Sequence, residues 1–158
     1  MSDSTIKEQS LSPTTSGNLA VAPTAKELEP AELDERIWMA LAAVTEKKAI
    51  EPVVLDLREI ASFTDYFIIV SGTNERQVQA ISDEVVDTLK KAGEPVLRVE
   101  GYKTAEWILL DCGDFVVHIF SDKARKFYDL ERLWRESRRV ALPAEFSAAA
   151  SSSLRSES

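Results

Sequence analysis

One cysteine and one histidine are all that the chain offers to a disulfide or a soft metal. Cys112 has no partner for a bridge, and His118 alone cannot build a site of several imidazoles. Long apolar runs are missing too. Stretches such as 66–70 and 107–110 fall far short of the roughly 20 residues that a membrane helix requires. Positive charge is in deficit, with 19 Lys and Arg against 27 Asp and Glu and a formal net charge of −8. Phosphate affinity arises from a basic surface, so this balance argues against nucleic acid as the main ligand and suits a basic protein partner. What is present is an ordinary globular composition, 44% hydrophobic and 29% charged, in 158 residues. That length allows one domain with a real core.

Residues 1–29 are polar, rich in Ser, Thr and Pro, and show no apolar periodicity, so they read as a disordered N-terminal extension. Asp3, Glu8, Glu27 and Glu29, with no Arg before Arg36, argue against a transit peptide, and no apolar segment marks a secretory signal. The expected location is the cytoplasm. Residues 143–158, rich in Ala and Ser, read as a second disordered tail. The domain is expected to span 30–142.

Within it, Pro30 followed by Glu32, Asp34 and Glu35 predicts a helix start, with Leu33, Ile37, Leu41 and Val44 as its buried stripe. Residues 53–57 and 66–70 are β-branched and aromatic, hence strands. Asn74 with Gln77 three positions later predicts the cap of a second helix, buried through Val78, Ile81, Val85 and Leu89 and ended at Gly93-Glu94-Pro95. Three strands follow at 95–99, 107–111 and 115–120, the last two joined by a turn at Cys112-Gly113. A final helix is expected to bury Phe127, Leu130, Leu133 and Trp134, which points Tyr128 away from the core among Arg125, Arg132 and Arg135. The fold class is therefore α/β, a mixed sheet of about five strands flanked by helices. Strands 107–110 and 115–120 are apolar on both faces, so both need cover, and any face left bare is a candidate interface between subunits.

Several segments belong together in order and spacing: Val54-Leu55-Asp56-Leu57, Thr64-Asp65-Tyr66-Phe67, Glu100-Gly101, Trp107 to Asp111, Gly113-Asp114, Val117-His118-Ile119-Phe120, and Phe127-Tyr128-Asp129-Leu130-Glu131 before Leu133-Trp134. Taken together they resemble the ribosomal silencing factor family, RsfS or Iojap-like, over roughly residues 32–136. The resemblance implies a fold related to nucleotidyltransferases without the catalytic motif. It also implies a protein that is not an enzyme and needs no metal or cofactor. Such a protein binds the large ribosomal subunit through its fourteenth ribosomal protein, blocks joining of the small subunit, and represses translation under nutrient limitation. The residues it implies for contact are Trp107 and Tyr128, with Ile108, Lys103, Arg125 and Lys126.

The residues themselves leave other readings open. By period alone Trp107 is a core residue, and Tyr128 could lie on its own helix surface without a partner. His118, on an alternating strand, reads as a hydrogen-bonded structural histidine. The excess of Lys and Arg between 122 and 139 fits either a solvated helix or a rim touching ribosomal RNA as a minor contact. No DNA or membrane partner is expected. A homodimer of the free chain, involving the bare sheet face and Trp38, is compatible with all of this. The alternative from another class is a metal-dependent nucleotidyltransferase using Asp56, Asp111 or Asp114. It lacks the pair of carboxylates two apart on one strand face, although Ser71-Gly72-Thr73 resembles a phosphate-holding turn.

Overall fold

The computed structural model describes residues 33–146 together with the two-residue strand β1 (Glu27–Leu28). The elements that follow are α1 (Glu35–Glu46), β2 (Ile50–Asp56), β3 (Tyr66–Gly72), α2 (Glu75–Lys91), β4 (Arg98–Glu100), β5 (Trp107–Asp111), β6 (Phe115–Ser121), α3 (Asp122–Tyr128), α4 (Leu130–Leu133) and β7 (Arg138–Val140). They form one seven-stranded mixed sheet in the order β1-β7-β2-β3-β6-β5-β4. The five expected strands are all present. The two extra strands are short and lie at one edge, β7 antiparallel to β2 and β1 parallel to β7. The first 26 residues of the expected N-terminal extension and residues 147–158 of the expected tail lie outside the described residues. No helix among the described residues is long and apolar enough to cross a membrane.

Strand alternation divides the side chains between two faces. On the front face, Val54, Ile68, Val70, Ile108, Leu110, Phe115, Val117 and Ile119 pack under α1 and α2. Asp34 caps α1 by accepting from the Arg36 N–H, so the helix starts later than Pro30 would suggest. Asn74 caps α2 by accepting from the Gln77 N–H. Gln77 returns the contact one residue earlier than a standard capping box, its Oε1 accepting from the Thr73 N–H at 2.7 Å. The Thr73 N–H of the turn that the enzyme alternative would use to hold phosphate is thereby partnered within the chain. Phe146 is also buried here, its ring 5.8 Å from that of Trp38. The fold therefore runs past the expected boundary at 142, and Trp38 is half-buried.

The back face carries Val53, Leu55, Phe67, Ile69, Val116 and Phe120, joined by Trp107 and Leu109. Ala124 of α3, Leu130 of α4, Trp134, and Leu57 and Ala61 after β2 pack over it.

Turn chemistry at two glycines controls the β5 strand. The β5–β6 hairpin closes with the Cys112 N–H donating to the Phe115 carbonyl at 2.9 Å, so the turn is Gly113-Asp114, one residue later than expected. Gly113 has φ +90, which a type II′ turn requires at its first position. Gly101 has φ +82, and a Cβ there would run into the Trp107 carbonyl oxygen. Gly101→Ala is therefore expected to cost at least about 1–3 kcal/mol in denaturant unfolding, since both the left-handed backbone and the close approach penalise a side chain.

Candidate functional site

The end of the chain's helical region departs most from expectation. A single helix was expected from the spacing of Phe127, Leu130, Leu133 and Trp134, but Asp129 adopts a left-handed conformation with φ 49 and ψ 50 and splits it into α3 and α4. Asp tolerates that conformation better than most residues. The break resets the helical phase. Leu130 goes inside, while Phe127 is 78% exposed and Leu133 70% exposed, so neither belongs to the core. Tyr128, 47% exposed, is where a surface residue was expected, although the continuous-helix geometry that predicted it does not exist.

Aromatic rings, some outward and some buried, form a chain across the back face. Phe63, 61% exposed, meets Phe67 and Trp134 at centroid distances of 6.1 and 5.9 Å. Phe67 meets His118 edge-on at 4.3 Å, and His118 meets Trp107 at 5.9 Å. Trp107 lies against Phe120 at 5.0 Å and Tyr128 at 4.8 Å, and Tyr128 meets Phe127 at 5.0 Å. The result is a continuous chain of rings whose middle members, Phe67, His118 and Phe120, are buried, and whose exposed ends are Phe63 on one side and Tyr128 and Phe127 on the other. A shallow groove of about 200 Å³, lined by Glu106, Ser121, Lys123, Phe127 and Tyr128, borders its end.

The six residues implied for contact separate into two groups. Trp107 and Tyr128 pack against each other with their rings tilted by 47°, Lys126 is exposed on α3 with Asp122 3.7 Å away, and Lys103 is exposed on the loop that turns into Trp107. Ile108 and Arg125 do not share this surface. Ile108 is 0% exposed on the front face, because adjacent residues on a strand point to opposite sides. Arg125 is 8% exposed, and its guanidinium is consumed inside the fold. It donates to the carbonyls of Ile50 and Glu51 at 3.0 and 2.9 Å, to Ser71 Oγ at 3.2 Å, and to both carboxylate oxygens of Glu131. Their side chains are thus unavailable to a partner. Phe127, Leu133 and Phe63 are among the exposed apolar residues that the sequence reading missed, along with Leu97, Ile60 and Val99 elsewhere in the chain.

His118 is buried on the back face, and its Nδ1 accepts a hydrogen bond from Trp107 Nε1 at 3.1 Å. Burial holds its pKa down at about 3 from the ordinary 6.5. The folded chain then binds fewer protons here than the unfolded chain between those values. Stability is full above pH 6.5 and falls with acidification, by up to about 1.4 kcal/mol per pH unit. Asp56 adds in the same direction. Burial opposes its ionisation, but hydrogen bonds from Arg58 outweigh that and hold its carboxyl below the usual range. Urea unfolding from pH 7 to 4 is expected to show a steep decline in the parent and a shallower one in His118→Asn, which removes only the histidine's share.

The three aspartates of the enzyme alternative each have a partner within the chain. Asp56 pairs with Arg58 at 2.9 Å, Asp114 with Arg36 at 2.7 Å, and Asp111 accepts from the Gly113 N–H at 3.0 Å. Among the described residues no three His, Cys, Asp or Glu side chains are grouped to hold a metal ion. Cys112 is buried, which pushes its thiol pKa up to about 12, the reverse of an activated nucleophile.

A family model described as ribosomal silencing factor during starvation matches residues 30–158. A ribosomal silencing factor RsfS from Halalkalibacterium halodurans is 41% identical over 108 residues, covering 68% of this chain and 92% of that protein. The mouse protein named mitochondrial assembly of ribosomal large subunit protein 1 is 29% identical over 123 residues, covering 76% of this chain and 53% of that protein. A crystal structure of a Chromobacterium violaceum protein superposes with a TM-score of 0.64 at 33% identity, covering 71% of this chain and 90% of that one. With the mixed sheet, the motif order and a family match spanning most of its length, the chain belongs to the ribosomal silencing factor family.

Proposed function

We propose that this chain docks on the large ribosomal subunit through its fourteenth ribosomal protein, keeps the small subunit from joining, and thereby lowers translation when nutrients are scarce. Family membership supports a ribosomal partner, and the mouse relative's name supports the large subunit. The observation that carries the docking face is the aromatic surface centred on Trp107 and Tyr128. Phe127 and Tyr128 are exposed beside half-buried Trp107, and neighbouring exposed rings mark a partner surface. Tryptophan and tyrosine are also the side chains that most often dominate interface energies.

The action is steric, with no bond made or broken and no cofactor or metal required. About 1,200–2,000 Å² of total buried surface suffices for a stable contact. Lys103 and Lys126 lie at the rim, where charge tunes encounter more than affinity. Exposed Lys123, Arg132 and Arg135 offer at most a minor contact to ribosomal RNA. The free chain forms a homodimer through the same back face and works in the cytoplasm, where its target is.

Sucrose-gradient sedimentation with isolated large subunits, and gel filtration with the purified fourteenth ribosomal protein, test the reading. Co-migration in both is expected. Migration apart from both would overturn it. Light scattering of the free chain checks the dimer, which a monomeric mass would contradict.

A further inference from the structure

Trp107 and His118 stand on adjacent strands one step out of register, Trp107 opposite Phe120 and His118 opposite Leu109. They are diagonal neighbours on the back face, a separation that long side chains span. Trp107 Nε1 lies 3.1 Å from His118 Nδ1. An indole nitrogen can only donate, so Nδ1 must present its lone pair and the ring proton must sit on Nε2. That Nε2 is buried and meets no hydrogen-bond partner.

A buried donor left unmet costs stability that an aliphatic residue of similar size would not. The neighbours of the imidazole, Phe67, Trp107 and Phe120, are all rings that would accept an apolar side chain. What the imidazole supplies, and a leucine cannot, is an acceptor directed at the indole. Ring contacts alone leave the indole's direction loose, because stacked rings tolerate rotation in their planes, whereas a hydrogen bond fixes it.

We propose that His118 is a positioning residue for docking, whose Nδ1 lone pair holds the Trp107 indole in the tilted orientation that packs against Tyr128 and presents both rings to the partner. This rests on Trp107 and Tyr128 being the docking surface. His118 touches no partner itself; it preorganises the residue that does, so binding does not have to order the ring.

The test uses the full chain with isotope-labelled tryptophan, comparing His118→Leu, which has no acceptor, with His118→Asn, whose Oδ1 reaches the place of Nδ1. Replacing Trp38, Trp107 and Trp134 one at a time by Phe assigns the three indole resonances. In the parent chain the Trp107 indole N–H is expected to exchange slowly with solvent. In His118→Leu it should exchange about tenfold faster, and retention on large subunits should weaken by about tenfold, the scale of one hydrogen bond. His118→Asn is expected to restore both to within about threefold of the parent.

Parent-like retention by His118→Leu would overturn the proposal. So would weakened retention with unchanged Trp107 exchange, or a His118→Asn variant no better than His118→Leu. Parent-like retention by Trp107→Ala would bring down the docking surface itself, and with it the role of His118 in docking, whatever the exchange rates show.

Discussion

Arg125→Met is expected to lower the melting temperature by roughly 10 °C or more, the largest stability loss of any single substitution in the α3 region. The reason lies in what the guanidinium holds. β2 begins irregularly, with Glu51 at φ 48 and a shift in its pairing to β3 between Ile50 and Val53. The carbonyls of Ile50 and Glu51 accept from the Arg125 fork, with Ser71 Oγ and Glu131 completing its partners. Methionine fills much of the same volume but leaves two carbonyls, a hydroxyl and a carboxylate without their donor. Removing one member of a buried, charged network costs about 3–5 kcal/mol. Lysine is expected to recover only part of that, because a single ammonium cannot reproduce a planar fork with several donors. Thermal unfolding followed by circular dichroism checks both. A melting temperature within about 2 °C of the parent would show that the network contributes little.

Tyr128→Ala is expected to weaken large-subunit retention by about thirtyfold, and Tyr128→Ala with Phe127→Ala by more than about a hundredfold, with melting nearly unchanged. An interface aromatic at the centre of a patch contributes 2 kcal/mol or more, and every 1.4 kcal/mol is about a factor of ten. Phe127 stands largely in solvent and Tyr128 about half so, and neither belongs to the buried core, so truncating them removes limited packing from the fold. Trp107→Ala is a less clean probe. Its indole packs on Phe120 and satisfies His118, so some stability should be lost along with binding. Lys126→Ala and Lys103→Ala are expected to act weakly and mainly through salt dependence, as rim charges do.

How much of this could be read from the chain depended on whether the signal was local. Alternation in 107–111 and 115–120 and the stripe of Val78, Ile81, Val85 and Leu89 are local, and the strands and α2 appear where they were expected. The same alternation separates Ile108 from Trp107, so carrying both to one surface conflicted with a rule already in hand. The α3–α4 region failed for a different reason. A helical wheel assumes an unbroken phase, and one residue, Asp129, in a left-handed conformation moves Phe127 and Leu133 from the inside to the outside. A better guess at that break would have revealed the exposed apolar side chains.

Arg125 was beyond any local pattern. Its partners Ile50 and Glu51 lie 75 and 74 residues away, and a basic residue on a short polar helix looks like a surface residue until the strands it reaches are placed. The two extra strands were hidden by brevity. β1 has two residues and β7 three, too few for a period to register, and β1 lies in a segment whose composition suggested disorder. Phe146 was hidden likewise by the Ala- and Ser-rich residues around it, although it closes the core against Trp38.

The claim that the aromatic back face excludes the small subunit is tested most directly by the order of addition in a subunit-joining assay. Large subunits are mixed first with the parent chain or with the Phe127→Ala, Tyr128→Ala double variant, small subunits are added, and joined ribosomes are followed by light scattering. The account predicts that the parent chain suppresses joining in proportion to its occupancy, and that the double variant at the same concentration leaves joining at its uninhibited level. Full joining with large subunits demonstrably loaded with the parent chain, or equal suppression by the double variant, would contradict it.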